Sequence, residues 1–280
     1  MKSGKTILGA AAVVFVISVL GLVWAQENQE KALPKKMSIA LDGGVKMDFV
    51  LIYPGSFMMG SGKWWSEVEK PVHEVMMTHP FFMGVFEVTQ AQWKAVMGDN
   101  PAHFKGEDLP VEQVSLEDCQ RFIEKLKAKV ARASQRSAAS QSSSGGLICR
   151  LPTEAEWEYA CRAGSKTEYA FGEDETAFGE FAWYNENSEK KTHPVGQKEP
   201  NAWGLYDMHG NVWEWCADWY GSYAATSISD PKGPESGSER VVRGGDWCTS
   251  AVNSRSAFRG KCTSGNRYSG LGFRVVCSSL

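Results

Sequence analysis

"GLYDMHGNVWEWCADWY", residues 204–220, sets a glycine turn and three acids among three tryptophans. Asp207 and Glu214 supply carboxylates, and the turn at Gly210 supplies backbone carbonyls. Calcium takes six to eight oxygens and often mixes carboxylates with carbonyls from a tight turn. The spacing D-x-x-G-x-V-x-E can wrap one such ion. The same acid–turn–acid spacing also serves ordinary capping and turn chemistry. Trp213, Trp215 and Trp219 read one by one as core residues, because large rings gain most from burial.

The whole chain shares this character. It has 280 residues, with 11 tryptophans and 28 glycines, which suggests a loop-rich fold held by aromatic clusters. Lys2 and Lys5 precede an apolar run, Ile7–Trp24, and Val23-Trp24-Ala25 offers small residues at the positions a signal peptidase reads. Residues 1–25 are therefore a cleavable signal or a retained N-terminal anchor, and either exports the rest. Without those residues the formal charge moves from −3 to −5, with no basic stripe, so nucleic acid is excluded as a partner. A membrane is reached only through the N-terminal segment, if it is kept. The expected location is periplasmic, secreted or membrane-anchored facing outward. All seven cysteines lie beyond residue 25, where disulfides form, and an odd number leaves at least one thiol over.

Residues 26–37 read as a flexible leader, and 38–280 as one compact domain. "MDFVLIYPGSFMMG" predicts a strand, a Pro-Gly turn and a second strand, and "PFFMGVFEV" a further strand. "SGKWWSEVEKPVHEV" between them reads as a loop with two exposed tryptophans. Three helix starts carry capping pairs: Thr89 with Gln92, Ser115 with Asp118, and Thr153 with Glu156. The apolar spacing after Ser115 puts Cys119 in the core. Residues 127–146, rich in Ser and Ala, read as a surface insertion. After Gly164 no long periodic segment remains. No H-E-x-x-H, G-x-S-x-G, P-loop or G-x-G-x-x-G pattern occurs.

Six stretches in order carry a resemblance: "FFMGVFEVTQAQW", "LPVEQVSLEDC", "RLPTEAEWEYACRAG", "HPVGQKEPNAWGLYDMHGNVWEWCADWY", "RVVRGG" and "LGFR". Together they resemble the formylglycine-generating enzyme (sulfatase-modifying factor) domain family from about Ser38 to the C-terminus. The resemblance implies an α/β (α+β) fold, low in regular secondary structure and related to C-type lectin domains. It also implies a structural calcium ion, held by the Asp207 and Glu214 side chains and by the backbone oxygens of Gly210 and Val212.

Oxidase members of that family hold copper(I) between two cysteines spaced C-x-x-x-x-C after R-G-G-S, and convert a cysteine of a C-x-P-x-R motif to formylglycine. Here Cys248 is the candidate catalytic cysteine, one residue early. Counting from Gly245 lands on Thr249 and Ser254, and counting back from Arg259 lands on Asp246 and Ala251. The serine of R-G-G-S is Asp246. A cuprous ion would meet one thiolate where two suit it. Arg255 and Arg259 would favour a thiolate at Cys248, while an exported setting favours a Cys248–Cys262 disulfide. "CTSAVNSRSAF" and "TSGNRYSG" have the adaptable hydrogen-bonders of recognition loops. Some relatives use this region as a ligand-binding face. Two functions follow. One is a calcium-stabilised binding or structural module of the cell envelope, taking a protein, peptide or small-molecule ligand at residues 246–270. The other is a divergent oxygen-dependent formylglycine-generating oxidase.

Overall fold

The structure is a computed structural model that describes residues 35–63, 66–137 and 147–279. The signal or anchor, most of the leader, Trp64, Trp65 and residues 138–146 lie outside the described residues.

Alternating apolar residues make the strands. In β2 (Lys46–Ile52), Met47, Phe49 and Leu51 are buried while Lys46 and Asp48 are exposed. That period of two places one face on the core. β2 pairs antiparallel with β1 (Lys36–Ala40) and β5 (Phe81–Gly84). With β6 (Leu147–Arg150) and β12 (Val276–Ser279) they form a five-stranded sheet, in the order β1-β2-β5-β12-β6. β1 thus begins inside the expected leader, at Lys36. Cys149 stands opposite Cys277 across β6 and β12, and the two form a disulfide.

The turn at Pro54-Gly55 makes no hairpin with β2. It carries the chain into β3 (Gly55–Met59), which pairs with β4 (His73–Met77) in a separate sheet closed by β8 (Ile228–Ser229). A third sheet runs in the order β10 (Arg259–Cys262), β9 (Arg240–Arg243), β7 (Trp213–Trp219), β11 (Leu271–Gly272).

The three expected caps open three helices. α1 (Gln90–Met97) and α3 (Glu154–Arg162) each carry a full capping box, from Thr89 with Gln92 and from Thr153 with Glu156. α2 (Leu116–Ser137) starts with Ser115 and Asp118 each donating its backbone N–H to the other's side-chain oxygen, at 2.9 and 3.2 Å. It buries Cys119, Phe122, Ile123 and Leu126, so Cys119 is a core residue as the spacing implied. α2 also runs through residues 127–137, which the sequence reading gave to the insertion. Lys, Ala, Arg and Gln are good helix formers, and they propagate a helix already capped and packed. A fourth helix, α4 (Phe178–Phe181), is a single turn. Beyond α3 the chain is mostly turns and short strands, as expected. Trp93, Phe122 and Phe273 pack together, with ring centroids 5.4–6.2 Å apart.

Candidate functional site

The motif residues converge through buried ion pairs. Glu154 and Glu158 of α3 receive Arg243 of β9, with Arg243 Nη2 to Glu158 Oε2 at 2.5 Å. Arg259 adds two bonds to Glu154, at 2.7 and 2.6 Å, and Arg162 adds two to Glu158. Arg255 binds both oxygens of Glu69, at 2.9 and 2.8 Å. The flanking arginines are thus fully engaged by buried carboxylates, and neither is left to favour a thiolate at Cys248.

Cys248 has a different neighbour. Its Sγ lies 3.3 Å from Asp246 Oδ1, and the same oxygen accepts from the Cys248 N–H at 3.1 Å and from Thr249 Oγ1 at 2.6 Å. Partial desolvation, with the Asp246 charge behind it, pushes this thiol up to about 11. A cationic setting at Cys248, expected from the sequence, is therefore corrected. The residue that replaces the family serine supplies the opposite charge. Asp246 is itself buried, and a Cβ on Gly270 would lie 1.9 Å from its Oδ2, so the carboxylate fills the space that a glycine leaves.

The expected Cys248–Cys262 disulfide is not formed. Both are free thiols, and buried Cys262 Sγ accepts from Asn266 Nδ2 at 3.2 Å. Cys119, Cys161 and Cys216 are free and buried, each with its thiol raised by desolvation. The other counted positions hold no soft ligand. Thr249 bonds Asp246, while Ser254 is buried with its Oγ donating to Ser250 O at 3.2 Å.

The turn of the opening stretch is built by its own residues. Asp207 and Asn211 take left-handed φ of 58° and 66°, which short polar side chains tolerate best. A Cβ on Gly210 would lie 2.2 Å from Trp183 O, so only glycine fits there. The Asn211 N–H donates to that carbonyl at 2.8 Å. His209 is held neutral between Ser254 O at Nδ1 (2.8 Å) and the Ala170 N–H at Nε2 (3.1 Å), and burial pushes it down to about 4.

Asp207 and Glu214 meet in one buried acidic cluster whose third member, Glu87, sequence reasoning missed. Glu87 accepts from Asn211 Nδ2 at 3.0 Å and from the Val212 N–H at 3.2 Å. Burial, then the charges of Asp207 and Glu214, raise its carboxyl well above the usual range. Asp207 rises to about 6 through burial, although Oδ2 accepts the Gly196 N–H at 2.8 Å. Its Oδ1 is buried without a hydrogen-bond partner. Glu214 is engaged on both oxygens: Arg274 donates at 2.6 Å to each, and Trp157 Nε1 donates to Oε2 at 2.7 Å. Of the three carboxylates only Glu214 is bonded by the Arg274 guanidinium, whose charge also acts on Glu87 and Asp207. The unpartnered Asp207 Oδ1 is a hard oxygen donor of the kind calcium takes. Glu214 would reach the same ion only through oxygens already bonded to Arg274. Among the described residues no group of three or more His, Cys, Asp or Glu is arranged to hold a metal. A cation here would therefore lean on the carbonyls of Gly210 and Val212.

Glu112, in "LPVEQVSLEDC", is a second missed acid. It is buried, its Oε1 accepts the Phe104 N–H at 2.8 Å, its Oε2 has no partner, and burial raises it to about 7. Phe104 packs edge-on against Trp247, with centroids 5.7 Å apart, which ties this acid to the Cys248 segment. Membership of the quoted motifs was the only sequence signal for Glu87, Glu112 and Arg274.

Comparison with known proteins agrees with this geometry. The chaperone protein LppX of Paenibacillus barcinonensis is 32% identical over 269 residues, covering 84% of this chain and 90% of LppX. The formylglycine-generating enzyme of Streptomyces coelicolor is 40% identical over 148 residues, which span 45% of this chain and 46% of that enzyme. Among solved structures, Treponema denticola variable protein 1 superposes with a TM-score of 0.78 at 33% identity, covering 88% of this chain and 99% of that protein. The model of the sulfatase-modifying factor enzyme 1-like domain matches residues 43–279. Six ordered motifs, the ion pairs that join them and this match lead to one conclusion: the chain belongs to the sulfatase-modifying factor enzyme 1-like domain family.

Proposed function

We propose that this chain is an exported binding or structural module of the cell envelope that keeps the family scaffold without two-cysteine copper chemistry. The observation that carries the reading is the state of Cys248. It is the exposed thiol of the segment, it has no second cysteine beside it, and a buried carboxylate holds it protonated at neutral pH. A soft cuprous ion wants thiolates, and this setting opposes forming even one. The Cys149–Cys277 disulfide supports an oxidising compartment. The ligand face of this reading is residues 246–270, where Trp247, Cys248, Asn266 and Tyr268 reach the surface in part or in full.

The test is direct. The chain is incubated with copper(I), oxygen and a C-x-P-x-R peptide, and the peptide mass is followed. The expected result is no aldehyde. Turnover that vanishes in Cys248→Ser would replace this reading with a divergent oxidase.

Calcium belongs to the same proposal as a stabilising ion, held by Asp207 through its unpartnered oxygen, by the Gly210 and Val212 carbonyls, and by Glu214. When bound it would neutralise the surplus charge of the Glu87–Asp207–Glu214 cluster. A chelator should then lower the Tm of the parent protein and leave that of Asp207→Ala unmoved. A parent Tm indifferent to both chelator and added calcium removes the ion from the account.

A further inference from the structure

The third acid of the opening stretch, Asp218 of β7, lines a cavity that neither the proposed ligand face nor the Asp207 turn uses. The cavity has a volume of about 880 Å³ and is bounded by β6, α3, β7, the end of β4 and the segment after β8. Asp218 is 4% exposed, yet only one of its oxygens is engaged: Oδ2 accepts the Glu154 N–H at 2.9 Å, at the start of α3. Oδ1 has no hydrogen-bond partner among the described residues. A Cβ on Gly233 would lie 3.1 Å from Oδ1, so a glycine there keeps side-chain bulk off the oxygen. A buried carboxylate is normally paired, and this one is not.

The cations around it are committed elsewhere. Arg150 of β6 donates to both oxygens of Glu156 and to Leu151 O. Arg259 of β10 is held by Glu154 and by the carbonyls of Val68 and Gly221. Arg240 of β9 donates to Ala217 O and stacks over the Trp219 ring at 3.4 Å. Lys232 lines the cavity from an exposed position and forms no ion pair among the described residues. With His79 counted as neutral, Arg150 and Lys232 stand against Glu156, Asp218 and Asp230, so ionised Asp218 leaves the lining one negative charge over. Met77, Phe81 and Leu151, all buried, supply an apolar wall.

We infer that this cavity binds a primary ammonium group carried on an aliphatic stem, the ammonium on Asp218 Oδ1 and the stem against Met77, Phe81 and Leu151. An ammonium is a compact charge that one oxygen can hold, whereas a guanidinium fork matches both oxygens of a carboxylate. Here the second oxygen is already taken by the Glu154 N–H. A free alkylamine and a lysine side chain of another protein present the same group. The site shares no residue with positions 246–270 or with the Glu87–Asp207–Glu214 cluster, so it stands or falls apart from the function proposed above.

Burial, and behind it the charge of Glu154, lifts the Asp218 carboxyl to about 7. Glu156 adds to the rise and Arg259 opposes it, while Arg150 and Arg240 also feel its charge. The ammonium pairs with the ionised form. Affinity should therefore be low below that value, rise through it and level off above it, with a proton released on binding.

The test titrates pentylamine and Nα-acetyl-lysine amide into the full chain, followed by NMR of the Asp218 carboxyl. At least one should bind, and the tighter of the two names the source. Pentanol and pentylguanidine should bind on the order of tenfold more weakly. Pentylamine stays charged throughout, and its affinity should be about tenfold or more higher at pH 8 than at pH 5.5. Asp218→Asn keeps an oxygen for the Glu154 N–H, so its Tm should stay near the parent's while amine binding falls on the order of tenfold. Ala217→Trp, at an exposed position on the cavity, should block binding even where the first variant does not fold. Lys232→Ala should change affinity by less than about threefold, since an exposed charge is screened. Neither amine binding better than pentanol, a flat pH profile, or binding that survives both Asp218→Asn and Ala217→Trp would overturn the inference. So would a gain of about tenfold in Lys232→Ala, which would make Lys232 the partner of Asp218 in the free protein.

Discussion

At the scale of single residues, Asp246 sets the chemistry of its segment. It takes three donors on one oxygen and places a negative charge beside the exposed thiol. Alkylation of Cys248 by iodoacetamide should be slow at pH 8 and accelerate up to about pH 11, the value to which its thiol is raised. In Asp246→Asn the rate at pH 8 should rise by roughly tenfold, because the thiolate fraction grows faster than its nucleophilicity falls. An unchanged rate would show that the carboxylate does not govern this thiol. The sequence displayed Cys248 among arginines, but it could not show that Arg255 and Arg259 turn inward to Glu69 and Glu154. Proximity along a chain says little about which charge a side chain meets, since partners here lie more than a hundred residues away.

At the scale of elements, the helix starts were the most legible feature. A capping box is a local contact between residues three apart, so sequence and structure carry the same information. For α3, Thr153 accepts the Glu156 N–H at 3.1 Å while Glu156 accepts the Thr153 N–H at 2.8 Å. Thr153→Ala should cost about 1 kcal/mol, read as a lower urea midpoint with an unchanged slope. A larger loss would mean that the Arg150–Glu156 pair depends on the same cap. Helix ends were less legible. α2 runs on past Leu126 because the Lys, Ala, Arg and Gln of residues 127–137 propagate a helix that is already nucleated. Strand partners were not legible at all: the sequence predicts two strands joined by the Pro54-Gly55 turn, and both form, but β2 and β3 belong to different sheets.

At the scale of the whole molecule, buried charge joins parts that secondary structure leaves separate. Arg243 is buried among Glu154, Glu158 and the carbonyls of Ser256 and Phe258. It links α3, β9 and the segment that follows Cys248. Arg243→Met should cost about 3–5 kcal/mol, because it strands carboxylates in a buried site. A loss under 1 kcal/mol in chemical denaturation would show that the network is not structural. The Cys149–Cys277 bridge closes a loop with a sequence separation of 128. Reduction should lower stability by about 2–4 kcal/mol, measured against a double serine variant that should be insensitive to reductant.

The sequence by itself determined the family, the three helix starts, the core position of Cys119 and the turn chemistry at Asp207-Met208-His209-Gly210, because each rests on residues near one another in the chain. Only the tertiary structure decided what the site residues meet. It joined Glu87 to Asp207 and Glu214, assigned Arg274 to Glu214, set Asp246 against Cys248, and put β2 and β3 in different sheets. The physical reason is range. Caps and turns are satisfied by neighbours, whereas a buried charge or a strand edge is satisfied by whatever the fold brings to it.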